Sequence, residues 1–528
     1  MRLEVFRHLL FAIAEEMGVA LCRSSYSPNI KERRDFSCAL FDGEGRLAAQ
    51  AAHIPAHLGS MPLSVRAVIE RLPLGPGDAA VLNDPFRGGN HLPDITLVSP
   101  VFPPRGGARK PSFYVANRAH HADVGGMAPG SMSVTTEIFQ DGILIPPLKL
   151  VKRGTLDRDV LSLILANVRT PREREGDLTA QLAANRTGEK RLLEVVARCG
   201  LRETLFYTRA LQTHAEEMTR AAIRAMPDGV YEFTDYMDDD GVGEGPVPIR
   251  VKLTIRGDTL TVDYTGSAPQ TRGSVNAVES IALTAVNYVV RALVDYDIPV
   301  NAGVMDPVTV VAPPGTVVNS RFPAAVAGGN VETSQRMVDA ILGAFAKALP
   351  GRVPAASCGS MNNLSLGGLD PRTGEPYTYY ETVGGGMGAS PRGEGEDAIH
   401  THLTNTMNTP IEALEHAFPF RVRRYGIWRG SGGRGRFRGG SGIVREIELL
   451  GDATLSLMTE RRGLPPWGLC GGEDGNPGEN LLLRSGRRIR LPGKTRVEVR
   501  KGDVFRMSTP GGGGGGGPDG PRLPGRRP

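Results

Sequence analysis

The residues best suited to chemistry in this 528-residue sequence are histidines and acids in its first quarter. In the stretch NDPFRGGNHLPDITLV (83–98), His91 and Asp94 stand three positions apart behind a Gly-Gly pair, where an apolar β-branched run begins. A neutral imidazole nitrogen and an anionic carboxylate oxygen form a mixed donor set that suits zinc, manganese or iron. The stretch therefore predicts two ligands of one divalent metal. Five of the ten histidines fall in this region: His53, His57, His91, His120 and His121.

A second stretch, AHHADVGG (119–126), offers a third ligand. It ends the run FYVANRAHH (113–121), which predicts a strand whose successive side chains point to opposite faces, so only one of His120 and His121 should reach the metal. Apolar residues share the face of His121, which favours His121 in the core and His120 as the ligand. Three protein ligands would leave positions open for water and substrate.

The pattern of apolar residues predicts the elements that position these ligands. Residues 3–25 show helical spacing and predict an amphipathic first helix, whereas DFSCALFDGEGRLAAQ (35–50) alternates and turns at an Asp-Gly pair, as a hairpin does. Residues 156–227 are helical in composition. Three glycines are expected to break this run into separate helices: Gly176, Gly188 and Gly200.

The predicted fold is a large mixed α+β fold, because the chain is too long for one small core and alternates strand-rich and helical stretches. The sequence GGGGGGGPDGPRLPGRRP offers little apolar surface to bury and is expected to be a disordered tail. The expected segments are a helix and strand-rich metal region at 1–150, a helical segment at 151–228, a glycine-rich mixed half at 229–510 and the tail at 511–528.

Composition argues against several classes of protein. The formal charge of +5 is small, and three arginines lie within the last seven residues, so a nucleic-acid binder is disfavoured. The stretch RVRRYGIWRGSGGRGRFRGG (421–440) resembles an Arg/Gly-rich nucleic-acid segment, but its flanks look folded, which favours an ordered glycine-rich surface or a subunit interface. Scattered cysteines, no signal segment and no long apolar run lead us to expect a cytoplasmic protein that does not span a membrane.

Loops that bind nucleotides or carry a serine nucleophile are missing from the sequence. GGGMG (384–388) and GGSG (439–442) lack the strand-then-helix setting of a dinucleotide loop, and no GxxxxGK[ST] or GxSxG motif occurs. The chain is therefore expected to hold no nucleotide of its own.

Eight stretches from the first helix to the glycine tail, taken together, resemble the hydantoinase B/oxoprolinase family. Several are long and unusual in composition, so chance agreement is improbable. They are YSPNIKERRDFSCALFD (26–42), NDPFRGGNHLPDITLVSPVF, NRAHHADVGG, GGNVETSQR, HLTNTMNTPIEALE, GSGGRGRFRGGSGIVRE, ERRGLPPWGLCGG and TPGGGG.

The resemblance implies a B-type subunit of an ATP-dependent hydantoinase or 5-oxoprolinase. Such a subunit hydrolyses a cyclic amide after a hydantoinase A-type partner, which binds ATP with Mg, has activated the substrate. The alternative within the family is an alpha-type subunit of an acetone carboxylase-like, ATP-dependent carboxylase. An Arg/Gly-rich nucleic-acid-binding protein is the alternative from another class.

The resemblance also implies the site residues. It places a divalent metal at His91, Asp94 and His120, with Asp35 as a further ligand. The same three residues, with Asp123 beside them, are expected to be catalytic. The sequence departs from the family's usual GGGG-aromatic-Gly ending, since seven glycines and no aromatic residue follow Pro510.

Overall fold

The computed structural model describes residues 1–103, 110–243, 245–294 and 297–516, and within them the chain has the predicted α+β fold. None of the helices in those ranges combines the length and apolarity that crossing a membrane requires. The helices are α1 (Arg2–Ser24), α2 (Pro28–Lys31), α3 (Met61–Arg71), α4 (Arg158–Leu165), α5 (Pro171–Cys199), α6 (Leu201–Arg224), α7 (Glu279–Leu293), α8 (Ser334–Ala348) and α9 (Ile411–Ala417). The strands are β1 (Phe36–Asp42), β2 (Leu47–Gln50), β3 (Ala79–Leu82), β4 (Asp94–Val101), β5 (Phe113–His120), β6 (Leu148–Lys152), β7 (Thr155–Leu156), β8 (Gly229–Met237), β9 (Val247–Arg256), β10 (Thr259–Asp263), β11 (Val308–Val311), β12 (Asn363–Leu369), β13 (Pro376–Glu381), β14 (Phe420–Trp428), β15 (Gly442–Leu449), β16 (Ala453–Met458), β17 (Glu479–Arg484), β18 (Arg487–Leu491), β19 (Lys494–Val499) and β20 (Val504–Ser508).

A seven-stranded antiparallel sheet, in the order β2-β1-β5-β4-β3-β6-β7, forms the N-terminal layer. The hairpin predicted at 35–50 is its β1–β2 pair. Strand β5 runs antiparallel to both of its neighbours, β1 and β4. The first residues of β1 and β4 and the last residue of β5 therefore meet at one edge of the sheet.

Helices α1 and α5 pack against each other and against this sheet. The expectation that Gly176 and Gly188 break the helical run is wrong, because α5 passes through both. A Cβ built at Gly188 would lie 2.3 Å from the Met17 Sδ atom of α1, so the glycine permits close approach of the two helices. Gly200, with a φ of +86°, does separate α5 from α6.

The remaining strands form three further sheets among the described residues: β11-β10-β9-β8, β13-β12-β16-β19 and β14-β15-β20-β17-β18. Helix α8 packs on β8 and β9, and α7 packs on α8. A single π-helical turn, Gly329–Thr333, leads into α8, and strand β13 ends beside it at Glu381. These two elements bring residues of the C-terminal half to the edge where β4 and β5 meet.

Three glycine-rich segments, 384–389, 431–442 and 511–516, lie against one another and exchange backbone hydrogen bonds. The Gly512 N–H donates to the Gly440 carbonyl at 2.9 Å, and the Gly433 N–H donates to the Gly512 carbonyl at 2.9 Å. The expectation of a disordered tail from 511 is therefore wrong for residues 511–516, of which 511–515 are buried. The physical reason is that glycine backbones bury one another by hydrogen bonding, without apolar side chains. The rest of the predicted tail, 517–528, lies outside the described residues.

We predict that Gly512→Ala destabilises the protein while Gly515→Ala does not. A Cβ at Gly512 would lie 2.0 Å from the Met387 carbonyl oxygen, whereas the nearest atom to a Cβ at Gly515 would be the Ala389 Cβ, at 3.2 Å, beside an open cavity. Overpacking typically costs about 1–3 kcal/mol, so the free energy of unfolding should fall by about that amount for Gly512→Ala and by less than about 1 kcal/mol for Gly515→Ala. Denaturant unfolding measures both values, and equal losses would contradict the tight packing of this layer.

Candidate metal centre

The pairing of β4 with β5 brings two of the predicted ligands together. Asp94 is the first residue of β4 and His120 is the last residue of β5, and the two are directly opposite each other in the ladder. On the other side of β5, the backbone N–H of His120 donates to the carbonyl of Asp35 at 3.0 Å. The strand ends therefore place Asp35, Asp94 and His120 at one edge of the sheet.

His91 completes a compact group with Asp94 and His120. Its Nε2 atom lies 3.3 Å from Asp94 Oδ1 and 3.2 Å from His120 Nδ1, and His120 Nδ1 itself lies 3.3 Å from the same carboxylate oxygen. All three side chains are buried, with relative exposures of 0%, 1% and 3% for His91, Asp94 and His120. Two imidazole nitrogens and one carboxylate oxygen thus converge in a site shielded from bulk water.

Backbone on the far side of the group fixes the orientation of His91. Its Nδ1 atom lies 3.3 Å from the Ala327 carbonyl oxygen and donates to it, which leaves the Nε2 lone pair directed at Asp94 and His120. The backbone segment that carries Ala327 is itself held by Asp141, because the neighbouring Val326 N–H donates to the carboxyl group of Asp141. Burial raises the pKa of this carboxyl group to about 7.

The second oxygen of Asp94 is held by three other side chains. His57 Nε2, Asn90 Nδ2 and Asn330 Nδ2 each lie 3.4 Å from Asp94 Oδ2. Burial alone would raise the pKa of Asp94, but the imidazoles of His91 and His57 and a hydrogen bond from His120 hold that pKa well below its ordinary value. The carboxylate therefore stays ionised at neutral pH and keeps Oδ1 available to a cation.

A small chamber lined by buried residues lies directly over the group. Its volume is about 20 Å³, which is enough for roughly one water molecule. The ring of Tyr380 covers His120, stacked at a centroid distance of 4.4 Å and an angle of 17°. The other lining residues come from both halves of the chain and include Asp35, Ile54, His57, Asn330, Met361, Thr382, Leu403, Thr404 and Thr406.

The donor set fits a divalent metal. The three ligand atoms of His91, Asp94 and His120 lie within 4.8 Å of one another. Asn330 Oδ1 and His120 Nε2 are also buried and find no hydrogen-bond partner among the described residues. Imidazole nitrogen with carboxylate oxygen suits zinc, manganese or iron, and a site with three ligands leaves positions for water or substrate. The two imidazoles and Asp94 would hold the ion, and Asn330 would face it.

The other residues singled out from the sequence lie in three different settings. Asp35 lines the chamber but is not part of the three-residue group. Asp123 does not line the chamber; its carboxylate accepts hydrogen bonds from the backbone of Gly125 and Gly130 and pairs with Arg169 at 2.9 Å. The structure therefore gives Asp123 a role in holding its loop. His121 points away from the group and lies 3.0 Å from Gln181 Oε1 of α5.

Sequence reasoning missed three residues that shape the site. His57 belongs to the cluster of histidines but has no predicted role, and no site role is predicted for Asn330. Asn330 lies in the π-helical turn before α8, from which its Nδ2 atom reaches His91 Nε2 at 3.2 Å. Tyr380 lies in an ordinary strand pattern that carries no signal for a ring stacked on a ligand.

The chain is similar to known proteins over nearly its whole length. The family model described as Hydantoinase B/oxoprolinase matches residues 1–518. An uncharacterized protein of Methanocaldococcus jannaschii is 40% identical over 98% of this chain and 90% of its own length. The 5-oxoprolinase 1 of Arabidopsis thaliana is 39% identical over 97% of this chain, which spans only 41% of that relative's length.

Two solved structures share the fold. The ATP-dependent caprolactamase from Pseudomonas jessenii superposes with a TM-score of 0.90 at 30% identity, covering 98% of this chain and 90% of that one. A nucleotide-free acetone carboxylase also gives a TM-score of 0.90, at 20% identity, covering 97% of this chain and 76% of that one. The second likeness shows a common fold alone.

We predict that His120→Ala removes the bound metal while His121→Ala retains it. The first variant deletes one of three converging donors, whereas the second deletes a buried imidazole that contacts α5. Elemental analysis of the purified variants measures the metal, and circular dichroism checks that both are folded. Equal metal contents, or loss only in the His121 variant, would show the assignment to be wrong.

We also predict that His57→Gln weakens metal binding without abolishing it. His57 holds the outer oxygen of Asp94, and loss of such a partner typically lowers metal affinity about 10- to 100-fold. Titration with a competing chelator measures the affinity. His53→Gln is the matched control, because His53 lines a different cavity and should leave the affinity unchanged.

Proposed function

We propose that this chain, which belongs to the hydantoinase B/oxoprolinase family, is the B-type subunit of an ATP-dependent hydrolase of cyclic amides. The substrate class is that of hydantoins and 5-oxoproline. The observation that carries the proposal is the buried His91–Asp94–His120 group beneath a small chamber. A related chain is named 5-oxoprolinase and a structural neighbour is named ATP-dependent caprolactamase, so relatives act on cyclic amides.

Chemistry explains why ATP and a second subunit belong to this proposal. The ring nitrogen of a lactam donates electrons into the carbonyl, which makes the carbonyl carbon a poor electrophile. Phosphorylation of the amide oxygen makes that carbon more electrophilic. This sequence holds no phosphate loop, while 5-oxoprolinase 1 is more than twice as long as the region it shares with this chain. We therefore assign ATP, with Mg, to a hydantoinase A-type partner.

The residues of the chamber would bind and orient the activated ring. When bound, the divalent metal supplies Lewis-acid polarisation and lowers the pKa of a water molecule. Asp94 stays ionised and would hold the ion through Oδ1 together with His91 Nε2 and His120 Nδ1, while His57 holds Oδ2. Thr382, Thr404 and Thr406 also line the chamber, and their hydroxyl groups would hydrogen-bond to polar atoms of the ring. The buried lining limits access of bulk water to the activated substrate.

The carboxylase alternative predicts a different product. An acetone carboxylase-like subunit would require bicarbonate and would yield a product heavier by one carboxyl group, whereas a hydrolase yields the ring-opened acid without bicarbonate. Mass spectrometry of the product with and without bicarbonate separates the two activities.

We predict that the isolated, metal-loaded chain hydrolyses no ATP. Together with an A-type partner and 5-oxoproline or a hydantoin, it should couple ATP cleavage to ring opening. Asp94→Asn should abolish ring opening, because it removes the anionic donor, and should leave the partner's own phosphate chemistry intact. Phosphate release and product formation are measured in parallel, with His121→Ala as the control. Robust ATP turnover by the isolated chain would refute this division of labour.

A further inference from the structure

A second, larger cavity opens to solvent beside the chamber, and we call it the vestibule. Its volume is about 430 Å³, within the usual range of about 300–1,000 Å³ for small-molecule sites. The chamber, by contrast, has room for roughly one water molecule. Of these two cavities, the vestibule is therefore the one large enough for a five-membered ring in this conformation. Its lining includes Cys22, Arg23, Arg34, His53, Asn405 and Met407.

One layer of backbone separates the two cavities. In the segment 403–407, Thr404 and Thr406 are buried and line the chamber, while Asn405 and Met407 are exposed and line the vestibule. This alternation is that of an extended chain, whose successive side chains point to opposite sides. The backbone of this segment is thus itself part of the wall, and we call it the strap.

Two further segments contribute to the wall in the same way. Asp35 faces the chamber, while its neighbours Arg34 and Phe36 line the vestibule. Ile54 faces the chamber, while His53 lines the vestibule. Three separate parts of the chain therefore form one thin partition between solvent and the metal ligands.

Hydrogen bonds to three neighbouring segments hold the strap in place. The Met407 N–H donates to the Arg33 carbonyl at 3.0 Å, and the Leu403 carbonyl accepts from the Ala56 N–H at 3.1 Å. The exposed Asn405 side chain donates to the His53 carbonyl at 3.1 Å. The buried Thr406 hydroxyl lies 2.9 Å from that of Thr382. None of these bonds belongs to a helix or a strand ladder, so displacement of the strap would leave the sheets intact.

The vestibule carries a positive charge. Arg23 and Arg34 are exposed and have no carboxylate partner among the described residues. Glu15 is the lining acid, and its carboxylate accepts a hydrogen bond from the Ala52 N–H. Two arginines against one acid leave an excess of positive charge, which attracts anions.

We propose that the vestibule binds an oxyanion of the substrate and that the strap is the entrance to the metal chamber. This inference rests on the proposed function, in which the ring arrives activated and carries a phosphoryl group, a carboxylate, or both. Arg23 and Arg34 bind the anion at the mouth, and displacement of the strap then admits the ring to the metal ligands. Guanidinium groups suit this role because their planar donors match carboxylate and phosphate oxygens.

Cys22 gives a direct test of the charge, because it lies in the vestibule and is partly exposed. In a metal-loaded chain with Cys199→Ser and Cys470→Ser, an anionic methanethiosulfonate should modify Cys22 faster than a cationic one. Arg34→Gln should lower that preference about threefold to fivefold, as expected for loss of one nearby charge in water. Arg209→Gln, which removes an exposed arginine from α6, is the matched control and should change nothing.

Protection experiments identify the anion. Inorganic phosphate that slows labelling of Cys22 shows binding of a phosphoryl group, and 5-oxoproline that slows it shows binding of a carboxylate. Either result supports the proposal. Equal labelling by the two reagents, with no protection by either anion, would overturn it.

The entrance is tested by removal of the metal. Attachment of a bulky group to Cys22 should slow extraction of the metal by EDTA at least about tenfold, because the chelator would have to pass the blocked vestibule. An unchanged extraction rate would refute the entrance. Neither the labelling of Cys22 nor the extraction of the metal requires ring opening. These two experiments therefore test the vestibule and the strap independently of the proposed hydrolysis, which the product measurement tests.

Discussion

The register of β4 against β5 is the constraint on which the metal centre depends. It sets Asp94 opposite His120, and Asp35, which directly precedes the first residue of the neighbouring strand β1, lies beside them. A shift of one residue would turn each of these side chains to the other face of the sheet, and the donors would no longer converge. Burial makes the arrangement costly to disturb, because an ionised Asp94 without its imidazole partners would be an uncompensated charge in the interior.

The C-terminal half supplies further side chains that contact the metal ligands. Asn330 and Tyr380 reach the ligands from the turn before α8 and from β13, and their positions depend on how closely the backbone segments of that half approach one another. At Gly329, next to Asn330, a Cβ would lie 2.0 Å from the Asn276 carbonyl oxygen. Glycine thus has a local structural use here: it lets backbone lie directly on backbone, so that a polar side chain one residue later can enter the site.

The sequence predicted those site residues whose positions are set by their neighbours along the chain. His91-x-x-Asp94 and the strand alternation before His120 predicted the converging donors, because spacing along one turn and one strand determines those positions. Asn330 and Tyr380 could not be assigned in this way, since contacts between distant segments bring them in. Gly188 shows the same limit, because a helix-breaking residue is tolerated where another helix packs closely against it. The buried glycines at 511–515 were missed because their stability comes from backbone pairing and leaves no apolar pattern.

The adjacent residues Arg33 and Arg34 show how one dipeptide serves both cavities. Arg33 is fully buried and donates to the Tyr380 carbonyl and to Thr382, while its distance of 3.8 Å from Asp35 makes that ion pair secondary. Breaking those buried hydrogen bonds would leave a guanidinium group without partners in the interior. Arg33 is therefore expected to stay in place when the strap moves. Its neighbour Arg34 faces the vestibule on the other side of the backbone. The strap belongs to no helix or strand, so it can move while the metal ligands, which lie at the ends of β4 and β5, remain fixed.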